Sequence, residues 1–444
     1  IAFIIPPKAI ENLNPDQSFA DTWYFQYEYD EEQRLVGKKS PGSGWVYTIY
    51  DRWERPVLTQ DGNQRSKSPA EWSFIKYDEF NRAIVAGVYK TTSSRSALVT
   101  AVTSSSGRYE TLNETSIGYT LNQSFPTTVI EDDLLSITYY DNYEFKDNSN
   151  WDIEGNQYDF VAELGFSGVA SYQTKNLVTG GKIKILGENI WLNSVTYYDS
   201  RYRKIQAIAE HQFGSADRLT NEYDFTGQLL KSLYVHVKAG SPEVRIAERF
   251  DYDHAGRLLR AWHKVNSQPE VLMSAHEYNE LGQLIKKTIH TVNNNSLQFT
   301  NYKYNIRGWL THLNYNAPEI DEPEDYFNLE LAYQNSLGTD NLPRYDGNIT
   351  AARWQYTSSE QSAYNYEYTN PGYLSSANYK ASNGSGWTAG LNDFNESASY
   401  DANGNITSLS RNSNIDGTAV AIDNLSYSYN GNQLLNVKIG RAHV

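Results

Sequence analysis

The chain has 444 residues, a formal net charge of -15 and no cysteine, which excludes disulfides, thiolate metal sites and a cysteine nucleophile. The acidic balance argues against nucleic acid as a partner, because phosphate binding needs clustered positive charge. Tyr numbers 36 and aromatics make up 14%, a composition that suits broad β-surfaces better than helical bundles or disorder. No apolar run reaches the length of a membrane-spanning helix.

The chain opens Ile1-Ala2-Phe3-Ile4-Ile5-Pro6-Pro7, without Met or the basic start of a signal peptide, and reads as an interior piece of a longer protein. Residues 1–20 read as the end of a strand followed by a loop carrying Pro6, Pro7 and Pro15. Over residues 21–91 a hairpin pattern begins. Tyr27-Glu28-Tyr29-Asp30 leads to Arg34-Leu35, Tyr50-Asp51 to Arg55-Pro56-Val57-Leu58, and Tyr77-Asp78-Glu79-Phe80-Asn81-Arg82 to Ile84-Val85. Glu32-Gln33, Glu54 and Asn81 stand where later copies carry Gly. Only the Asn is a good substitute in left-handed geometry, so these turns are the least well specified.

Residues 92–193 break the pattern. The run 96–102 fits a short helix or a strand, and periodicity does not decide between them. Glu131-Asp132-Asp133 is acidic, and residues 135–141 alternate as a strand. Gly180-Gly181 is expected to turn a hairpin between 175–179 and 182–186. The region as a whole is expected to be a β-rich insertion into the array.

Regular copies occupy residues 194–313. Tyr197-Tyr198-Asp199 is followed by Tyr223-Asp224-Phe225-Thr226-Gly227-Gln228-Leu229 and Tyr252-Asp253-His254-Ala255-Gly256-Arg257-Leu258. Next come Tyr278-Asn279-Glu280-Leu281-Gly282-Gln283-Leu284 and Tyr304-Asn305-Ile306-Arg307-Gly308-Trp309-Leu310. Tyr223, Tyr252, Tyr278 and Tyr304 stand 29, 26 and 26 residues apart, a repeat period. In each copy alternating aromatics share one face of a strand. Asp or Asn opens a type I turn by accepting from a backbone N–H two residues on, and Gly takes the left-handed position that re-enters the ladder through a bulge. An irregular piece at 314–345 carries the acidic loop Asp321-Glu322-Pro323-Glu324-Asp325. Terminal copies fill 346–438: Tyr368 with Gly372, Tyr400-Asp401 with Gly404, and Tyr427-Ser428-Tyr429-Asn430-Gly431. Residues 439–444 back-translate as ATC GGA AGA GCA CAC GTC, a common sequencing adapter whose next codon is a stop. They are expected to be foreign, with the natural sequence running to about Lys438.

The recurrent Asp199, Asp224, Asp253 and Asp401 invite a catalytic reading. Asn279, Asn305 and Asn430 replace them elsewhere, and Asn keeps the turn-forming oxygen without being a carboxylate base, so a turn role is expected. Asp401-Ala402-Asn403-Gly404-Asn405 fails as a calcium loop, because Ile406 and Asn412 stand where Gly and Glu are needed. His211, His236, His254, His263, His276, His290 and His312 include no short pair at ligand spacing. Gly165-Phe166-Ser167-Gly168 lacks the final Gly of a nucleophile elbow, and Gly180-Gly181-Lys182 lacks the rest of a P-loop. No catalytic residue, cofactor or metal is therefore expected. Trp45, Trp53, Trp72, Trp262, Trp309 and Trp387 are expected to pack in the wall. Trp387, in the stretch Gly384-Ser385-Gly386-Trp387, is the best candidate for an exposed ring that stacks on a sugar.

The Tyr-Asp-x-x-Gly-x-Leu period resembles the YD repeats of the Rhs family, relatives of the toxin-complex shell proteins and the teneurins. The resemblance covers most of residues 21–438. It implies an all-β array of YD-repeat hairpins joined into a spiralling sheet that forms part of a hollow shell, in a protein secreted or held at the cell surface. It further implies a C-terminal effector domain of the same full-length protein as partner, with the effector and the family's self-cleavage segment lying beyond Lys438. An alternative is an adhesion module whose partners are cell-surface glycans.

Overall fold

The computed structural model describes residues 2–11, 16–113, 117–147, 151, 157–188, 190–238, 240–292, 295–314, 326–356, 361–382, 386–388 and 393–440. The all-β expectation holds, since among the described residues helices are confined to Gln17–Trp23, Gly62–Ser66 and Arg95–Ser104 with a few 3-10 turns. The described chain divides into two compact units, Ile1–Phe3 with Phe25–Arg257 and Ala261–Glu270, and Ile4–Tyr24 with Leu258–Arg260 and Val271–Val444. The acidic loop at 321–325 lies outside the described residues.

Among the described residues of the first unit, these strands follow one another: Phe25–Tyr29, Leu35–Lys39, Val46–Tyr50, Pro56–Gln60, Ala70–Tyr77, Ala83–Thr91, Leu134–Asp141, Thr174–Lys184, Trp191–Tyr198, Lys204–His211, Ser215–Tyr223, Leu229–His236 and Val244–Tyr252. Each pairs antiparallel with the one before it. The register aligns apolar side chains across the sheet: Ile49 faces Leu58, Leu58 faces Phe74, and Val195 faces Ile208. Residues of the irregular region cover that face. Leu98, Val102, Ile117, Tyr119, Phe145, Trp151 and Tyr158 join the strand residues in one buried cluster. These residues between the strands thus supply the second layer that a half-apolar sheet needs to form a core.

That packing resolves residues 96–102. They lie in the helix Arg95–Ser104, capped by Ser94, whose hydroxyl accepts from the Ala97 amide. Leu98 and Val102, four apart on one helical face, are the residues buried against the sheet. The expected hairpin at Gly180-Gly181 is corrected. Both glycines lie inside the continuous strand Thr174–Lys184, where Gly180 pairs with Tyr139 on one side and Val195 on the other. A Cβ on Gly180 would stand 2.3 Å from the Phe145 ring. The glycine admits an aromatic ring to the sheet and does not reverse the chain.

In the second unit the strands Val271–Tyr278, Leu284–Val292 and Asn295–Tyr304 pair in succession, and none of their residues is fully buried. Among the described residues the sheet here is a single layer, since no buried hydrophobic cluster includes these strands. The ladder continues through Leu310–Leu313, Phe327–Ala332, Ala351–Tyr356, Ser362–Tyr368, Leu374–Ser382, Glu396–Tyr400, Ile406–Ile415, Thr418–Asn430 and Gln433–Ile439.

The N-terminal segment, expected to be strand and loop, also carries the helix Gln17–Trp23, capped by the Asp16 carboxylate, which accepts from Phe19 N at 2.7 Å. It belongs to the second unit, where the Lys8 amide donates to Asn403 Oδ1 at 2.9 Å and Lys8 Nζ to Asp401 Oδ2 at 3.2 Å. Of the six residues expected to be foreign, Ile439 ends a strand opposite Leu425 and Gly440 bonds to the Asn424 carbonyl, while 441–444 lie outside the described residues.

Gly180→Ala is expected to destabilise the chain by about 1–3 kcal/mol through overpacking, read as a lower urea midpoint. Adding Phe145→Leu should return part of the loss. An unchanged midpoint in Gly180→Ala would contradict the close approach of Phe145.

Candidate functional site

The feature that recurs along both units is a turn and a clip. At Asp253 the backbone N–H donates to the Arg257 carbonyl and the Gly256 N–H donates to the Asp253 carbonyl, each at 3.0 Å. Asp253 Oδ1 accepts from the amides of Ala255 and Arg257, both at 2.9 Å, and Gly256 sits at φ 82°. This is the bulged type I turn read from the sequence. Gly227, Gly282, Gly308, Gly372 and Gly404 also have positive φ. Asn serves as well as Asp: Asn279 Oδ1 accepts from Gln283 N at 2.9 Å, and Asn305 Oδ1 from Arg307 N at 2.9 Å and Trp309 N at 3.0 Å.

The turns lacking Gly form equally well. Gln33, Glu54, Asn81 and Tyr202 hold φ between 63° and 64°, a conformation that costs an L-residue roughly 1–2 kcal/mol. All four are followed by Arg, whose Nε donates to the turn carboxylate: Arg34 to Asp30 at 2.7 Å, Arg55 to Asp51 at 2.8 Å, Arg82 to Asp78 at 2.6 Å and Arg203 to Asp199 at 2.7 Å. A charge-assisted bond of this kind contributes about 1.5–3 kcal/mol, enough to offset the backbone strain. The same guanidinium groups reach forward to a later turn or loop. Arg34 donates to the Asp51 carbonyl, Arg55 to Asn81 Oδ1, Arg82 to the Asp141 carboxylate and Arg203 to the Asp224 carbonyl. The signal was present in the sequence as Asp-x-x-x-Arg.

The clip is the tyrosine hydroxyl. Tyr223 O–H donates to the Lys204 carbonyl at 3.0 Å, Tyr252 to Leu229 at 2.9 Å and Tyr198 to Val178 at 2.7 Å. In the second unit Tyr278 donates to Leu258 at 2.9 Å, Tyr304 to Leu284 at 3.0 Å, Tyr368 to Ile349 at 2.8 Å and Tyr400 to Leu374 at 2.8 Å. The acceptor is commonly the residue that faces the preceding copy's tyrosine across the bulge: Lys204 faces Tyr198, Leu229 faces Tyr223, Leu284 faces Tyr278 and Leu374 faces Tyr368. Each hairpin is thereby fastened to the one before it.

Burial raises the Asp199 pKa, but the Arg203 and Arg201 amides and the Arg203 guanidinium outweigh it and hold the carboxyl below its ordinary value. At Asp253 the Arg257 amide is the main cause of a lowered pKa. Asp401 is also lowered, burial being outweighed by bonds from Asn405, Lys8 and Asn403. In the first unit, Lys76 Nζ meets Glu110 Oε1 at 2.8 Å with both side chains sealed from solvent. Glu110 also accepts from the Ser124 amide and hydroxyl, and from Thr120 and Gln123. Burial alone would raise Glu110, yet Lys76 and these donors hold it below its ordinary value. These carboxylates are engaged in folding the chain.

Trp387 is half-buried in the short strand Trp387–Thr388 and faces Ser382, which corrects its expected exposure. Gly384 and Ser385 of its loop lie outside the described residues. Trp72 is buried in the core, and the Arg249 guanidinium lies over the Trp262 ring at 3.5 Å. No described helix is long and apolar enough to cross a membrane.

No protein-family model and no curated protein matches the chain. Among solved structures it is similar to a Photorhabdus luminescens Tc holotoxin pore at 10% identity and a TM-score of 0.28, covering 92% of this chain and 21% of that one. It is similar to a TcdB2-TccC3 structure without the hypervariable C-terminal region at 11% identity and a TM-score of 0.29, covering 94% and 22%. A porin-like protein from Bacteroides uniformis matches at 11% identity and a TM-score of 0.22, covering 56% and 96%. The chain spans about a fifth of the two toxin chains.

Tyr202→Gly is expected to raise stability by about 0.5–1 kcal/mol by relieving the left-handed strain, whereas Arg203→Ala should lower it by about 1.5–3 kcal/mol. Both are read from urea midpoints, and a stabilising Arg203→Ala would refute the compensation. A carboxylate held below its unfolded value contributes stability above that value and loses it as pH falls through the folded one. The urea midpoint is therefore expected to hold from pH 7 to about pH 5 and to drop below about pH 4. A flat profile down to pH 2 would count against the carboxylate bonds.

Proposed function

We propose that this chain is a segment of a non-enzymatic β-wall of the Rhs type, which encloses or presents an effector domain carried farther along the same polypeptide. The observation that supports this reading most directly is the serial clip from each tyrosine to the preceding hairpin. A single hairpin is marginal in water, and its stability comes from its neighbours. A chain so built gains from length, and it produces extended surface in place of a compact site. The single-layer strands Val271–Tyr278 to Asn295–Tyr304 leave both faces partly accessible, as a partition between two compartments requires.

The mechanism is steric: a continuous hydrogen-bonded wall keeps its cargo from proteases and targets until the wall opens. Secretion or display at the cell surface belongs to the same proposal. The adhesion alternative gains nothing from the tryptophans, since none is exposed among the described residues.

The test is limited proteolysis of the full-length protein. The downstream domain should be protected while the wall is intact, and the combined variant Tyr252→Phe, Tyr278→Phe, Tyr304→Phe should speed its cleavage. Each lost clip costs about 0.5–1.5 kcal/mol. A downstream domain cleaved as fast within the intact protein as in isolation would rule the enclosure out.

A further inference from the structure

The strands Lys204–His211, Ser215–Tyr223 and Leu229–His236 bring together three metal-ligating side chains that sequence spacing keeps apart. Asp217 faces Ala209, and His211 lies two residues beyond Ala209 on the same face. Arg218 faces Val235, which places His236 beside Asp217. Ile208, next to Ala209, belongs to the buried core, so the three polar residues occupy the opposite face of the sheet.

We propose that His211, Asp217 and His236 form a site for one divalent transition-metal ion of the Zn2+ class. Two imidazoles and a carboxylate are a donor set that favours such ions over Ca2+ or Mg2+, which take all-oxygen shells. One ligand atom from each residue lies within 4.8 Å of the others. Tetrahedral ligation at about 2.0–2.1 Å sets ligand atoms about 3.3 Å apart. His211 Nε2 already stands 3.6 Å from Asp217 Oδ1. His236 Nδ1, at 2.7 Å from the same oxygen, donates its proton there; on metal uptake that proton is released to solvent or moves to Nε2, and the pair opens by about half an ångström to admit the ion.

The surroundings resemble an outer shell. The Tyr234 hydroxyl donates to Asp217 Oδ2 at 2.5 Å and fixes the carboxylate. His211 Nδ1 accepts from the Phe213 amide at 3.2 Å, which directs Nε2–H to the Val237 carbonyl at 2.8 Å. Metal uptake moves that proton from Nε2 to Nδ1 and breaks the long Phe213 contact. The three ligands leave the fourth position to water or to the Val237 carbonyl. The ion would staple three consecutive strands.

The test uses tag-free, EDTA-stripped full chain titrated with Zn2+ by calorimetry and with Co2+ by visible absorption. One equivalent of each ion should bind, Co2+ giving the intense bands of tetrahedral coordination, and Zn2+ should raise the melting temperature. His211→Ala and His236→Ala should abolish uptake, Tyr234→Phe should weaken it about 10- to 100-fold, and His254→Ala should leave it unchanged. Circular dichroism establishes that each variant is folded, and the wild-type Co2+ spectrum stands without them. Failure of the wild-type chain to take up either ion overturns the proposal, as does undiminished uptake by the folded double variant His211→Ala, His236→Ala.

Discussion

The hydrogen bond from a tyrosine hydroxyl to a carbonyl of the preceding hairpin is the interaction on which the array depends. A bulged hairpin disrupts its own ladder where the extra residue enters. The next copy's tyrosine reaches that position, as Tyr223 does to Lys204 and Tyr304 to Leu284. The ring spans the space between hairpins as packing surface, and the hydroxyl finds a fixed partner at its end. Phenylalanine would supply the first property without the second. This accounts for an aromatic content dominated by Tyr.

The turns show how a repeat tolerates drift. Gly256 reaches the left-handed region without steric cost, while Tyr202 reaches it against its Cβ. The Asp199–Arg203 pair makes the difference, closing the turn from outside while Arg203 also binds the Asp224 carbonyl. The same pairing closes the glycine turn, where Arg257 Nε donates to Asp253 Oδ2 at 2.6 Å. The buried Lys76–Glu110 pair plays a different part, since two sealed charges are tolerated only with the Ser124, Thr120 and Gln123 donors around them.

The two units solve the problem of a large sheet in different ways. In the first, the segments between strands lay the helix Arg95–Ser104 and a set of aromatic rings over one face and create a core. In the second, the strands from Val271 to Tyr304 remain a single layer held by ladder bonds and clips. Lys8 closing on Asp401 and Asn403, across more than 390 residues, ties the N-terminal segment to the last copies within that unit.

The repeat was legible from residue order: the Tyr-(Asp/Asn)-x-x-Gly-x-Leu period, the bulged turns and the all-β class. These depend on local conformational preference, and Asp253 and Gly256 carry theirs wherever they stand. The Asp-x-x-x-Arg turns were legible in principle, since partner and carboxylate lie four residues apart. Tertiary structure alone decided that Gly180 admits Phe145, that residues 96–102 are helical, that Trp387 is half-buried and that His211 meets His236. Each of these depends on which strand lies next to which, and on the register between them. Sheet register couples residues with no regard to their spacing in the chain, so no periodicity announces the contacts it makes.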